Sequence, residues 1–314
     1  MTPELSVVIP ARDVAPHLDD LLRGLAANAR AGVEFIVIDD GSADRTPEIL
    51  QEARVDGLTV VRNDRPAGVA AARNQGLALS SGRYVTYLDA DDYVMPGYYA
   101  ELVAAIEGLG CDFVRVDHVQ VTGTRRIPEP APMGRRGVVL DPRDGILPVH
   151  ENSMVDYPAI WAGVYRRELG DLLAMDERLH TAEDRPWVWR LHREAASYAV
   201  VPLAGLHYRQ RPGSLRQIGD ERQLHFFDAF DQVIAGLADD PDHESFLRKA
   251  ARTYCAIIAF HLKRRDRLSP ELRERLYDRG RTALRALPEE TLAETLPGMG
   301  GERARLFADL LGVS

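Results

Sequence analysis

Tyr84-Val-Thr-Tyr-Leu-Asp-Ala-Asp-Asp-Tyr93 is an apolar run, rich in aromatic and β-branched residues, that ends in three carboxylates, Asp89, Asp91 and Asp92. Such charges suit the exit of a strand, not its interior. In an open α/β sheet that exit faces the ligand crevice, so the run would deliver clustered oxygen ligands where a bound phosphate can share a cation with them. A hard divalent metal is the chemistry this predicts. The competing reading is a solvated turn whose aspartates cap the next helix, and the triplet alone does not choose between the two.

The elements that must position this run recur along the first third of the chain. Leu5-Ser-Val-Val-Ile9 reads as a buried strand stopped by Pro10 and followed by the polar turn Ala11-Arg-Asp13. Leucines at 18, 21, 22 and 25 keep helical spacing, and Gly32 precedes a second strand, Phe35-Ile-Val-Ile38. That strand ends in Asp39-Asp40-Gly41-Ser-Ala-Asp44, after which Thr46-Pro47 predicts a helix opened by a capping threonine and a first-turn proline. Leu58-Thr-Val-Val-Arg62 is a third strand, Gly68 to Gly76 reads as a loop leading into an alanine-rich helix, and Tyr84 begins the fourth strand. The alternation, with strands too continuously apolar for a one-faced sheet, predicts an α/β fold: a mostly parallel sheet flanked by helices on both sides. Ala11 to Asp13, Asp39 and Asp40, Asn63, and Asp89 to Asp92 all follow strand ends, so they would line one edge of that sheet.

Composition narrows the class. The 314 residues are 45% hydrophobic and 28% charged, with a formal net charge of -9, which leaves no overall electrostatic footprint for nucleic acid. Cys111 and Cys255 are too few for a disulfide scaffold or a cysteine zinc site, and a reducing cytoplasm fits them best. The N-terminal apolar run is too brief for a signal sequence, and no segment is apolar enough to cross a bilayer.

Beyond a strand at Phe113 to Asp117, the stretch Thr122 to Asp144 is loaded with Pro, Gly and Arg and reads as a long loop. Its pairs Arg125-Arg126 and Arg135-Arg136 either solvate that loop or attract an anionic acceptor. From Gly219 onward the pattern is helical without strands, over Leu224 to Leu237, Phe246 to Leu262, Pro270 to Leu287 and Glu302 to Leu311, with Tyr254, Ile257, Ile258 and Phe260 as core. The run His261-Leu-Lys-Arg-Arg-Asp-Arg267 is a solvated helix end or a contact for an anionic membrane surface or a polymeric phosphate.

Ser6-Val-Val-Ile-Pro10, Val37-Ile-Asp-Asp-Gly-Ser42 with Asp44 and Thr46, Gly68 with Ala72-Arg-Asn74 and Gly76, and Leu88-Asp-Ala-Asp-Asp92 resemble, in order and spacing, the successive signatures of family 2 glycosyltransferases of the GT-A fold. The chain is similar to non-processive members such as wall teichoic acid and capsule-type enzymes. The processive Gln-x-x-Arg-Trp signature is missing, since the corresponding stretch runs into Arg185-Pro-Trp187. The resemblance implies a GT-A domain over residues 1–218, with a donor half to about 117 and an acceptor half from about 118, followed by a helical domain over 219–314. It implies that Pro10, Ala11 and Asp13 border a nucleobase pocket, that Asp40 bonds a uracil imide, and that Asn63 and Arg73 lie nearby. Asp89 would face the ribose or sugar, Asp91 the metal, with Asp92 a second ligand; Mn²⁺ or Mg²⁺ would bridge to the diphosphate.

Two later segments carry the resemblance further. Thr181-Ala-Glu-Asp-Arg-Pro-Trp-Val-Trp-Arg190 is similar to the family's Glu-Asp motif, which implies Asp184 as general base with Glu183 orienting the acceptor or sharing charge. In isolation both would be first-turn acids of a helix. His207-Tyr-Arg-Gln-Arg-Pro-Gly-Ser214 is similar to the loop that closes over the diphosphate, with Arg209, Arg211 and Ser214 on phosphate oxygens and His207 on metal or phosphate, or else it is a turn with solvated arginines. The function implied is metal-dependent, inverting transfer of one sugar from a nucleotide sugar, UDP-linked, to a hydroxyl of a glycan, polymer or small natural product. The location implied is cytoplasmic, with peripheral contact at the inner membrane face open, as is the oligomeric state. The alternative from another class is a nucleotide-sugar-binding module without turnover. A nucleotidyltransferase would want a glycine-rich triphosphate loop with a lysine near the N-terminus, and the lysines all lie in the helical tail.

Overall fold

Runs of Val, Ile, Leu and Phe without polar alternation can be satisfied only by strands covered on both faces, and that is how the first third of the chain folds. The structure, a computed structural model, describes residues 3–210 and 219–312. Strands β1 (Leu5–Ala11), β2 (Val33–Asp39), β3 (Leu58–Arg62) and β4 (Tyr84–Tyr87) alternate with helices α1 (Leu18–Asn28), α2 (Thr46–Glu52) and α3 (Val69–Leu79). Then come β5 (Tyr93–Val94), α4 (Tyr98–Leu109), β6 (Phe113–Val116), β7 (His118–Thr122), β8 (Arg125–Glu129), β9 (Gly163–Arg166), α5 (Asp184–Glu194), β10 (Tyr198–Val201) and β11 (Leu206–Arg209). The large sheet has the order β10-β6-β9-β4-β1-β2-β3, parallel throughout except for β9, which runs antiparallel to β4 and β6. Val7, Val8, Ile9, Phe35, Val37, Ile38 and Val85 are fully enclosed at its centre.

Two expectations are corrected by pairing. The stretch 125–129 is a strand, not loop: β8 lies antiparallel to β7, across a turn in which Gly123 takes a positive φ. Pro128 is tolerated because β8 is the edge of the second sheet, ordered β5-β11-β7-β8. Thr46 is the first residue of α2 rather than its cap; Arg45 precedes the helix without a side-chain cap, and the Thr46 hydroxyl instead accepts the Val14 N–H at 2.9 Å.

Close helix–sheet approach depends on Gly76 of α3, where an added Cβ would lie 2.4 Å from a methyl of the enclosed Val8. Gly76→Ala is expected to lower stability by about 1–3 kcal/mol in urea unfolding, the usual result of overpacking; an unchanged midpoint would show that the α3–β1 seam can yield.

The chain divides into two compact units, residues 1–144, 159–178 and 191–211 in one, 145–158, 179–190 and 212–314 in the other. In the second unit, α6 (His225–Gly236), α7 (His243–Lys263), α8 (Pro270–Ala286), α9 (Glu289–Thr295) and α10 (Gly301–Leu311) enclose Phe227, Phe230, Tyr254, Ile258, Leu284 and Phe307. Phe260 departs from the expected core: it is 40% exposed and carries the Arg264 guanidinium 3.8 Å over its ring. The enclosed Lys249 donates to the Glu151 carbonyl and to Asp156, whose other oxygen accepts from Thr253 at 2.8 Å, so an ion pair ties the 151–156 segment to α7.

Candidate functional site

Within the first unit, the ends of β1, β2 and β3 are locked to one another by side chains that the strand exits place side by side. Asp13, in the left-handed region at φ 51, donates its N–H to the Ser42 hydroxyl at 3.0 Å and accepts from the Ala43 N–H at 2.8 Å. Asp44 accepts from the Ala15 and Thr46 N–H groups; burial pushes its pKa up, but these bonds outweigh that and hold it below the ordinary carboxylate value. Asp39 is enclosed, receives the Ser42 N–H at 3.0 Å and pairs with Arg62. Asp40, also buried, accepts from Asn63 at 3.2 Å and from the Ala67 and Gly68 N–H groups, both at 2.8 Å. Its Oδ1 takes the Asn63 and Ala67 bonds and its Oδ2 the Gly68 N–H, so the carboxylate is held by both oxygens at the end of β2. Pro10 and Ala11 end β1 beside this assembly, and Ala11 is enclosed.

The fourth strand end carries the acids. Asp89 receives the buried Arg73 guanidinium at 2.7 Å, which joins α3 to the turn after β4. Arg73→Ala is expected to cost about 2–3 kcal/mol in chemical denaturation, below the roughly 3–5 kcal/mol of a fully enclosed pair because Asp89 is partly exposed; a smaller loss would mean water readily replaces the guanidinium. Asp91 is half-buried. Asp92 is enclosed: its N–H closes the turn onto the Asp89 carbonyl at 2.9 Å, and its Oδ1 accepts the Arg209 N–H at 2.6 Å. Its Oδ2 has no hydrogen-bond partner among the described residues. Burial, then the charges of Asp91 and Asp89, push the Asp92 carboxyl well above the usual range, against the pull of Arg209.

The strand β11 brings His207 and Arg209 to the same turn. His207 stacks on Tyr93 at 4.8 Å between ring centres, and burial lowers its pKa. The Arg209 guanidinium bonds His17 at 2.7 Å and Asp20 at 2.8 Å and lies 5.2 Å from the centre of the Tyr93 ring. Arg211 and Ser214 lie outside the described residues. Asn74, read as part of a signature, ties α3 to the Met175 backbone at 2.8 and 2.9 Å. The clasp residues Ser42, Asp44 and Thr46 belong to a signature whose individual bonds only the folded loops reveal; the pairing of His17 and Asp20 with Arg209 spans 189 or more residues of sequence and left no local signal.

In the second unit, Glu183 is buried just ahead of α5, and Asp184 is the first residue of that helix, half-buried. Ala182 before them has φ 61.

The donor chemistry of the acidic turn fits a hard divalent cation: all carboxylate oxygen, with one enclosed oxygen lacking a partner. Among the described residues no three His, Cys, Asp or Glu side chains are gathered as an all-protein cage would require. Mg²⁺-like ions are commonly held by one or two carboxylates and completed by substrate phosphates.

Residues 6–157 match the family model described as Glycosyl transferase family 2. The chain is 29% identical over 223 residues to the uncharacterized glycosyltransferase EpsJ of Bacillus subtilis, covering 69% of this chain and 64%, less than two thirds, of that relative. It is 26% identical over 257 residues to the succinoglycan biosynthesis protein ExoO of Rhizobium meliloti, covering 79% of this chain and 69% of that protein. The crystal structure of S. aureus TarS 1–349 in complex with UDP-GlcNAc superposes with a TM-score of 0.74 at 17% identity, covering 98% of this chain and 90% of that one. Together with the parallel sheet and its acid-bearing strand ends, these likenesses identify a glycosyltransferase family 2 domain, built on the GT-A fold, in this chain.

Proposed function

We propose that the chain is a metal-dependent, inverting glycosyltransferase that moves one sugar from a UDP-sugar to an acceptor hydroxyl on a cell-surface glycan or polymer. The observation that carries this is the mutual locking of the loops after β1, β2 and β3 around the buried Asp40, beside the Asp89-to-Asp92 turn that Arg73 anchors. A rim already held by in-chain bonds presents its acceptors to a nucleotide without reorganisation. Pro10, Ala11 and Asp13 border the base, Asp40 accepts from the uracil imide, and Asn63 holds Asp40 in place. Asp89, oriented by Arg73, faces the ribose or sugar.

Asp91, Asp92 and His207 would hold Mn²⁺ or Mg²⁺, which when bound would supply neutralisation of the diphosphate leaving group. Arg209 fixes β11 to the acidic turn through its backbone bond to Asp92. Asp184 takes the proton of the attacking hydroxyl and Glu183 orients the acceptor. The UDP-GlcNAc held by TarS supports a UDP-linked donor, and the succinoglycan role of ExoO supports a glycan acceptor.

A screen of UDP-, GDP- and dTDP-sugars with either cation tests this. The expected result is metal-dependent stabilisation by a UDP-sugar, near 2.7 kcal/mol at about a hundred times Kd, with slow UDP release. Binding without release would favour a module that has lost turnover, and stabilisation by another nucleotide would displace the uridine assignment.

A further inference from the structure

The turn that carries Glu183 and Asp184 is held by a short stretch far along the chain. The His180 N–H donates to Nδ1 of His225 at 3.0 Å, and the hydroxyl of Thr181 donates to the Arg222 carbonyl. Arg222 is itself fixed, its N–H and guanidinium both bonding Asp220, the latter at 2.7 Å. The next residue, Ala182, sits in the left-handed region at φ 61 and packs against the helical core around Phe227 and Tyr254. Alanine has no polar side chain to favour that conformation, so it persists only where surroundings over-determine it. Two successive tethers immediately before a strained residue, followed at once by a buried Glu183 and the half-buried Asp184, form one mechanical unit.

We infer that His225 is a positioning residue: by accepting the His180 N–H at the start of α6 it sets the conformation of the 180–183 turn and so aims Asp184, which makes the C-terminal helices part of the catalytic apparatus. This rests on Asp184 as the base. The neutral imidazole, with its proton on Nε2, is the form that can accept at Nδ1; burial, and the charge His180 can carry, hold the His225 pKa below its ordinary value and favour that form.

The test is UDP release by full-length His225→Ala, His225→Gln and Asp184→Asn proteins, with kcat and donor KM determined separately and donor Kd measured by calorimetry. His225→Ala is expected to lose about 10–100-fold in kcat, the usual effect of a small misplacement, with donor Kd within about twofold of the parent. His225→Gln, whose amide oxygen can accept the same N–H, is expected to recover most of the loss. Thr181→Val, which removes the neighbouring tether, carries the same expectation for kcat should His225→Ala fail to fold. Loss in Asp184→Asn with parental kcat in His225→Ala, or loss that the glutamine does not repair, overturns the positioning role and leaves Asp184 as base; parental kcat in Asp184→Asn removes both.

Discussion

Asp184→Asn is expected to lower kcat for UDP-sugar turnover by about 10²–10⁴-fold, with donor Kd within a few-fold of the parent. Asparagine keeps the size and polarity of the side chain but cannot take a proton from the attacking hydroxyl, and proton transfer by a placed side chain is commonly worth that range. The position, half-buried at the first turn of α5, tolerates asparagine without a cavity or an unpaired charge, so a fall in rate should come with little change in unfolding midpoint. Steady-state kinetics beside isothermal titration separates the two. A parental kcat would remove Asp184 from the chemistry whatever else the domain does.

Chelation of divalent ions, or Asp91→Asn, is expected to reduce UDP release by at least about 10²-fold. Neutralising a diphosphate leaving group is worth several kcal/mol, and each 1.36 kcal/mol of barrier is about tenfold in rate. Asp92 is enclosed with one oxygen on the Arg209 N–H, Asp89 is joined to Arg73, and the half-buried Asp91 is the member of the triplet proposed to face an ion shared with substrate. Manganese titration should restore chelated parent protein along a saturable curve and leave the Asp91→Asn protein flat. Full activity after exhaustive chelation would show that side chains alone neutralise the leaving group.

The parallel core was readable because its forces are local in sequence: β1, β2 and β4 are dominated by apolar runs whose exits are marked by a proline or aspartate, while the edge strand β3 is largely exposed. The acids at those exits were legible for the same reason. What could not be read depends on partners far along the chain. The run Arg125 to Glu129 looks like loop until β7 offers it an edge, and the short β5 exists only beside β11. The enclosure of Asp92 follows from Arg209, 117 residues away, and the capture of 151–156 by the helical unit follows from the pair of the buried Lys249 with the partly exposed Asp156. Phe260 reads as core by spacing, yet Arg264 one turn on covers its ring and keeps it at the surface. The segment 179–190 clusters with the helices rather than with the sheet, a grouping made by His225 and Arg222 that no periodicity announces.

The stereochemistry of the product tests the central claim most directly. With an α-linked UDP-sugar as donor and proton NMR of the purified product, displacement by a single hydroxyl activated by Asp184 predicts a β-linked sugar. An α-linked product would contradict it, because retention requires a different course from one in-line displacement.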